Sequence, residues 1–178
     1  MTTLTGKTAV IVGASGTANF GTAIARRLAA EGANVVVAAR RKEPLDELAS
    51  ELQGIAVACD VTKEDNIKNL FEAATATYGQ VDIAVFSAGI HSGVPIAELT
   101  AADIRPTLEV SMVGALLFFR YAAAAMTAGG SVVTISSLTA RIPGPGLATY
   151  SAARAGIDYA IKVAAIEYGE SKVRFNSI

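Results

Sequence analysis

A glycine-rich segment near the amino terminus could bind a phosphate group. It joins a predicted strand to a predicted helix and reads Gly13-Ala-Ser15-Gly16-Thr-Ala-Asn-Phe20-Gly21. Glycines let the backbone approach a pyrophosphate, and the start of a helix offers free N–H groups with a partial positive charge. The spacing departs from G-x-G-x-x-G, so a tight strand-to-helix turn without a ligand stays open as the alternative.

The end of the second predicted strand bears on which dinucleotide such a site would take. A carboxylate there would accept hydrogen bonds from the adenosine 2′-hydroxyl and select NAD(H). The chain instead reads Ala38-Ala39-Arg40-Arg41. Arginine forms bidentate, charge-assisted bonds with phosphate, so the sequence favours NADP(H), with NAD(H) as the less favoured cofactor. The alternative is a solvated basic start of a helix.

The elements that must position these residues alternate between strand and helix along the whole chain. Strands are predicted at Lys7–Gly13, Asn34–Ala39, Ile55–Ala58, Asp82–Phe86, Ser131–Ser136 and Val173–Ile178. Helices are predicted at Gly21–Glu31, from the Pro44 region to Leu52, from Thr62 as cap to Tyr78, after a Thr100 cap, at Pro106–Met126 and at Tyr150–Tyr168. This alternation predicts one α/β domain over residues 1–178, with a doubly wound parallel sheet of Rossmann type in three layers.

Small and polar residues cluster directly after the predicted strands. Open α/β sheets bind ligands outside the carboxyl ends of their strands, so these clusters should line one crevice. They are Gly13 to Gly21, Arg40-Arg41, Asp60, Ser87-Ala88-Gly89 and Ser136-Ser137.

Composition excludes several classes of protein. The 15 basic and 16 acidic residues nearly cancel, which argues against a nucleic-acid partner. A single cysteine and a single histidine argue against a disulfide or a metal site. The strongest apolar run, Val113 to Phe119, is far below the ~18 residues of a membrane span. The amino terminus lacks a secretory pattern, so we expect a cytoplasmic protein with no membrane partner.

The second half of the chain resembles the short-chain dehydrogenase/reductase family. The resemblance rests on the strand SVVTISS that ends at Ser137, on Tyr150 thirteen positions later, and on the YSAAR start of a helix. Asp60-Val61 after the third strand and Ser87-Ala88-Gly89, where the family usually has Asn-Ala-Gly, extend it over the whole chain.

The resemblance implies a role for each matching residue. The glycine segment and Arg40 would hold the cofactor phosphates, Asp60 and Val61 would lie against the adenine, and Ala88-Gly89 would line the ribose. Ser137 would hydrogen-bond the oxygen of a small carbonyl or alcohol substrate, and Tyr150 would exchange its proton during hydride transfer.

Arg154 is the first departure from the family pattern. A phenol has an ordinary pKa of ~10, and a cation at position i+4 of the same helix face lowers it. The family has lysine at that place. Arginine keeps the charge, but its planar fork differs from an ammonium and it cannot give up a proton.

Three more departures concern Ser111, the glycine segment and the end of the chain. Ser111 stands where the family usually has an asparagine that holds a relay water, and the glycine segment looks two residues longer than usual, with Thr17 to Asn19 in place of a compact turn. After Ile178 the family continues with a substrate-covering segment and a last strand. A fragment, a missing tail and a protein without a lid all remain open.

The two long helices carry more apolar surface than one sheet face needs. The family commonly forms dimers through these helices, so we expect a homodimer or homotetramer through residues 106–126 and 150–168. Three residues are interpreted without a role in function and are left out of the predicted site: His91 as a solvated loop residue, Cys59 as a buried filler and Ser136 as structural.

Three functions remain open from the sequence. The favoured one is an NADP(H)-dependent enzyme that interconverts a carbonyl and a secondary alcohol. The second is a cofactor-binding relative with impaired chemistry, which acts as a sensor or as the silent partner of an oligomer. The third is an unrelated phosphate-binding α/β domain, for which the spacing of Ser137 and Tyr150 would be coincidence.

Overall fold

The computed structural model describes residues 3–14 and 19–178. Their strands form one parallel sheet of six strands in the order β3-β2-β1-β4-β5-β6. This order places the switch in winding direction between β1 and β4. The strands are β1 (Thr8–Val12), β2 (Asn34–Ala39), β3 (Ile55–Ala58), β4 (Ile83–Phe86), β5 (Gly130–Thr134) and β6 (Val173–Ser177).

Helices connect the strands and cover both faces of the sheet. They are α1 (Phe20–Ala30), α2 (Lys42–Leu52), α3 (Glu64–Tyr78), α4 (Ala101–Leu108), α5 (Gly114–Ala125) and α6 (Ala148–Glu167). A π-helical turn, Glu109–Val113, joins α4 to α5 without a break. Short 3₁₀ turns lie at Ile96–Glu98 and Leu138–Ala140.

Alternate residues of the strands enter two separate hydrophobic clusters. Ile11 and Val35 pack with α1 and α2 on one face, where Leu45 is fully buried. Val10 and Phe86 pack on the other face with α3, α5 and α6. All five residues of β1 are buried, as expected for the central strand of a sheet that is covered on both sides. The prediction of a doubly wound α/β sheet is therefore confirmed.

The predicted positions agree best with the structure for the strands and for the Thr100 cap of α4. β2 and β3 match the prediction at both ends. Thr100 caps α4 through a reciprocal capping box with Asp103. The prediction of a separate long helix from Pro106 is wrong, because the helix that starts at Ala101 continues through Pro106 and the π-helical turn.

The prediction of Thr62 as a helix cap is also wrong. The Thr62 N–H and hydroxyl donate to the Asp60 carboxylate at 3.0 and 2.8 Å, so the side chain turns back toward β3. The helix α3 starts two residues later at Glu64, with Lys63 at the cap position and no side-chain cap bond.

The continuous helical run Ala101–Ala125 is long and apolar enough to cross a membrane by length and composition, with a mean hydropathy of 1.4. A helix that covers a sheet in a protein core passes the same test. Because α5 buries Phe118 and Phe119 against the sheet, this run is weak evidence for a membrane span.

Candidate active site

A cleft of about 260 Å³ opens at the carboxyl edge of the sheet, at the switch point between β1 and β4. Parallel strands bring their carboxyl ends to one edge, and this is where open α/β sheets bind ligands. The cleft gathers residues that are far apart in the sequence. Those from the predicted cofactor site are Gly13, Arg40, Asp60, Val61, Ser87, Ala88 and Gly89, with Asn19 at the start of α1.

Gly13 and Gly21 allow close backbone packing at this edge. A Cβ on Gly13 would lie 2.7 Å from the Ser87 carbonyl carbon, and a Cβ on Gly21 would lie 2.6 Å from the Gly13 carbonyl oxygen. Gly13 also has a φ of 89°, which L side chains rarely adopt. Phe20 is exposed at the first residue of α1. Ser15 and Gly16, like Thr17 of the lengthened segment, lie outside the described residues.

Arg40 and Asp60 are the charged side chains that line the cleft on the β2–β3 side. Hydrogen bonds from Thr62 hold the pKa of the Asp60 carboxyl below its usual value, against the effect of burial, and the positive charges of Arg40 and Lys63 add to the shift. Asp60 is therefore an anion fixed in orientation. Arg41 is exposed at the cap position of α2.

Cys59 also lines the cleft, but its thiol is unreactive. Its side chain is buried, and burial together with the Asp60 charge raises the pKa of the thiol to about 12. A thiol with that pKa stays protonated at neutral pH and is a poor nucleophile. The structure thus agrees with its interpretation as a buried filler.

Ser137 and Tyr150 lie on two elements that pack together. Ser137 is the cap of the turn Leu138–Ala140, and this turn packs against α6, whose first turn carries Tyr150. The Ser137 hydroxyl is within 3.0 Å of the Thr139 hydroxyl and accepts from the Thr139 N–H at 3.3 Å. Its orientation is therefore fixed by the turn that it caps.

Arg154 lies one helical turn after Tyr150 and is almost fully buried. Its Nη1 donates to the Ile135 carbonyl at 3.0 Å and its Nη2 to the Ala88 carbonyl at 3.1 Å. Its guanidinium carbon is 5.1 Å from the centre of the Tyr150 ring. Arg154 thus joins the loop after β4 to the loop after β5 and places a permanent positive charge beside the phenol.

Gly89 is part of the same arrangement. A Cβ on this residue would overlap the Nη2 atom of Arg154. Glycine at this position therefore leaves the space that the arginine fork occupies.

His91 is the residue that sequence reasoning left out of the site. Its ring contacts the Tyr150 ring edge-to-face, with centroids 5.9 Å apart and an interplanar angle of 69°. The signal in the sequence was its place two residues after Gly89, in a loop that follows a strand end. That placement does not by itself predict a site residue, because position along the chain does not show contact with α6.

Ser111 lies in the π-helical turn and is fully buried. Its hydroxyl has no hydrogen-bond partner among the described residues, and neither does the Nε of Arg154. π-Helical turns inside α-helices occur frequently at functional sites. The hydroxyl is therefore available for a water, as the prediction of a relay role requires.

The residues at this edge suit a dinucleotide. The cleft offers the start of α1, an arginine and a fixed carboxylate side by side, and its glycines permit a close backbone approach. Asn19 caps α1 by accepting from the Thr22 N–H at 2.8 Å, and the first N–H groups of a helix have no partner within it. A phosphate would fit at the helix start, with Arg40 beyond it.

Comparison with known proteins places the chain in one family. A family model described as enoyl-(acyl carrier protein) reductase matches residues 13–178. A relative in Mycobacterium tuberculosis (strain H37Rv), the (5R,7aS)-5-hydroxy-7a-methyl-1-oxo-2,3,5,6,7,7a-hexahydro-1H-indene-carboxyl-CoA reductase, is 34% identical over 188 residues, which cover 98% of this chain and 70% of the relative.

Two further proteins agree. The cis-4-hydroxycyclohexanecarboxylate dehydrogenase of Sinomonas cyclohexanicum is 34% identical over 97% of this chain and 71% of its own length. The crystal structure of a short-chain dehydrogenase from Mycobacterium smegmatis superimposes with a TM-score of 0.94 at 28% identity, over 99% of this chain and 77% of that structure. The chain belongs to the short-chain dehydrogenase/reductase family of oxidoreductases.

Proposed function

We propose that this chain is an NADP(H)-dependent oxidoreductase that interconverts a carbonyl and a secondary alcohol. The observation that carries the proposal is the joint placement of Ser137, Tyr150 and a cation beside the phenol, next to the loop that lines the cleft. A carbonyl is reduced by hydride at carbon and a proton at oxygen, and the phenol is the proton donor within this group.

The residues divide the reaction between them. The Ser137 hydroxyl donates a hydrogen bond to the substrate oxygen, and the Tyr150 phenol gives or takes its proton. Arg154 is the cation of the group, with its guanidinium carbon 5.1 Å from the centre of the Tyr150 ring. The nicotinamide ring, when bound, supplies or accepts the hydride. Ser111 holds a water in its buried turn, while Asp60, Val61 and Ser87 to Gly89 hold the nucleoside.

The preference for NADP(H) rests on the end of β2. Ala38 and Ala39 leave no carboxylate there to accept from a ribose 2′-hydroxyl, and Arg40 lines the cleft. An arginine would bind the 2′-phosphate through two parallel charge-assisted bonds. Arg41 adds a second positive charge at the start of α2.

The substrate class proposed is a ring that carries the reacting alcohol or carbonyl. Support comes from the names of the two relatives, whose compounds are a hydroxycyclohexanecarboxylate and a hexahydroindene. The lining of the cleft does not identify which of these compounds is the substrate, because loops determine substrate specificity in this type of fold.

Turnover assays test the proposal. The chain is mixed with NADP⁺ or NAD⁺ and with cyclohexanol or cis-4-hydroxycyclohexanecarboxylate, and reduced cofactor is followed by absorbance. We expect turnover with NADP⁺ that Ser137→Ala lowers by about a hundredfold, as for the loss of a hydrogen-bond donor to the reacting oxygen.

Ser136→Ala is the matched control. Its hydroxyl is buried without a partner among the described residues, so its removal breaks no bond and should leave turnover intact. Equal losses in the two variants would contradict the assignment of Ser137.

The alternative of a cofactor-binding relative with impaired chemistry has one observation in its favour. Nη1 and Nη2 of Arg154 each already donate to a backbone carbonyl, so two of its five N–H groups are taken up by the protein itself. Tight NADPH binding without turnover on any alcohol would favour this alternative.

We also propose a homodimer or homotetramer through the helices at residues 106–126 and 150–168. Apolar side chains of α5 and α6 that face away from the sheet are exposed, namely Leu116, Tyr159, Val163 and Ile166. Val163→Asp should give a monomer by light scattering, whereas Ile96→Asp, an equally apolar exposed position outside these helices, should not. A monomeric parent chain at micromolar concentration would remove this proposal.

A further inference from the structure

The proposed reaction leaves a proton on Tyr150 that needs a route to solvent. When an alcohol is oxidised, its carbon loses hydride to the cofactor and its hydroxyl proton becomes the phenol proton of Tyr150. The phenol must lose that proton before the next turnover. A side chain that carries it to solvent has to lie beside Tyr150, reach water and change its charge near neutral pH.

Neither Arg154, the cation beside the phenol, nor Ser111, at the relay position that the family resemblance implies, meets those conditions. Arg154 stays protonated, and its Nη1 and Nη2 are bonded to the carbonyls of Ile135 and Ala88. Ser111 lies in the π-helical turn with no exposed surface. Arg154 can stabilise charge and Ser111 can hold a water, but neither side chain reaches bulk solvent.

His91 meets all three. It is exposed, its ring contacts the Tyr150 ring, and imidazole is the side chain that ordinarily titrates near neutral pH. The imidazole has no side-chain hydrogen bond or ion pair with residues 3–14 and 19–178, so its nitrogens are open to water.

Arg154 contacts the same Tyr150 ring from α6. On the segments that flank the two rings, the charged residues are Arg141, before α6, and Glu98, in the turn Ile96–Glu98. The Tyr150 ring thus lies between a fixed positive charge at Arg154 and an exposed imidazole at His91.

We propose that His91 carries the proton between Tyr150 and solvent, an inference that rests on the proposed function. The phenol O–H bond of Tyr150 breaks, and an N–H bond forms on the neutral imidazole through an intervening water. The imidazolium then gives the proton to a buffer base or to bulk water. Carbonyl reduction runs the same steps in reverse. His91 acts through Tyr150 and does not touch the reacting carbon.

The test compares His91→Ala with His91→Phe, which keeps the ring contact but cannot carry a proton. Cyclohexanol oxidation with NADP⁺ is measured in weak buffer with and without added imidazole. We expect kcat to fall about tenfold in both variants with little change in KM. Added imidazole should restore His91→Ala and leave the parent chain unchanged. Full activity of His91→Phe, or no rescue of His91→Ala, would overturn the proposal.

A second measurement works without turnover and separates this inference from the proposed function. The chain has one histidine, so a single imidazole Hε1 signal reports His91 by NMR. A water-mediated link to the phenol predicts that Tyr150→Phe changes the midpoint of the His91 titration, whereas Tyr159→Phe, remote from the imidazole, does not. An identical midpoint in the parent chain and in Tyr150→Phe would contradict the link, even if no alcohol is oxidised.

Discussion

The amino edge of the sheet, where the strands begin, and the carboxyl edge, where they end, differ in how their polar groups are hydrogen-bonded. At the amino edge, Asp82 accepts from Lys7 Nζ at 2.7 Å, from the Thr8 N–H at 2.9 Å and from Gln80. At the carboxyl edge, several hydroxyls are buried with no partner in the described part of the chain: Ser92, Ser111, Ser136 and Ser151. The Thr8 hydroxyl is an exception, because it lies at the amino edge and is also buried without a partner in the described part of the chain.

This difference indicates which substitutions should affect the free energy of unfolding and which should affect turnover. A buried polar atom without a partner costs about 1–3 kcal/mol, so a fold keeps such atoms where a ligand or water satisfies them. We therefore expect substitutions of Ser137, Tyr150 and Arg154 at the carboxyl edge to change turnover, and substitutions at the amino edge to change only the free energy of unfolding.

The largest effect should come from Tyr150→Phe. Removing the phenol hydroxyl deletes the proton donor, and we expect kcat to fall by about a thousandfold, within the range for acid–base groups. NADPH affinity should stay within about twofold by calorimetry, because Tyr150 is not among the residues that line the cleft. Unaltered turnover would refute the assignment of Tyr150.

Arg154→Lys should have the next largest effect. An ammonium is compact and cannot place two parallel donors as a guanidinium fork does, so the bonds to Ile135 and Ala88 would not both survive. We expect kcat to fall about tenfold, by the loss of one charge-assisted bond. A gain in rate would instead indicate a site that has decayed from a lysine form, and would favour the cofactor-binding alternative.

Gly89→Ala should perturb the same arrangement more mildly. The new Cβ would overlap Arg154 Nη2, so the arginine or the loop must shift. Overpacking of this kind costs about 1–3 kcal/mol of unfolding free energy, measured by urea denaturation. Gly93→Ala is the matched control in the same loop, since a Cβ there meets nothing within 4 Å. Equal stability of the two variants would contradict the close packing.

Asp82→Asn should give the smallest effect and none on turnover. Although burial opposes it, the hydrogen bonds from Lys7 and Thr8 hold the pKa of the Asp82 carboxyl below its usual value. Its contribution to stability is present at neutral pH and is lost as the pH falls below about 4. We expect a loss of about 1–2 kcal/mol at pH 7 that shrinks in acid. A constant difference across pH would contradict the role of the charge.

The sequence predicted the sheet better than the helix starts. The parallel strands are continuous apolar runs, so the bounds of the mostly buried Asn34–Ala39 and of the half-buried edge strand Ile55–Ala58 were predicted correctly. The start of α3 was not predicted correctly, because Thr62 donates its hydrogen bonds to Asp60 and does not cap the helix. Pro106 looked like a helix start, but Ala101–Leu108 continues through it and leads directly into the π-helical turn.

The residue types of the site could be predicted, but their partners could not. Ser137, Tyr150 and Arg154 follow from spacing and from the family resemblance. That Arg154 uses its nitrogens on two backbone carbonyls depends on how two loops meet, as does the contact between His91 and Tyr150. The two bonds of Arg154 span 19 and 66 positions of the chain, and local patterns carry no information on such contacts.

The proposed function depends above all on the binding of a phosphorylated dinucleotide at Arg40. Calorimetric titration of the chain with NADPH and with NADH is the direct test. We expect NADPH to bind about tenfold to a hundredfold more tightly, as one or two charge-assisted bonds would give, and Arg40→Ala to remove the difference. Equal affinities, or binding of neither nucleotide, would contradict it.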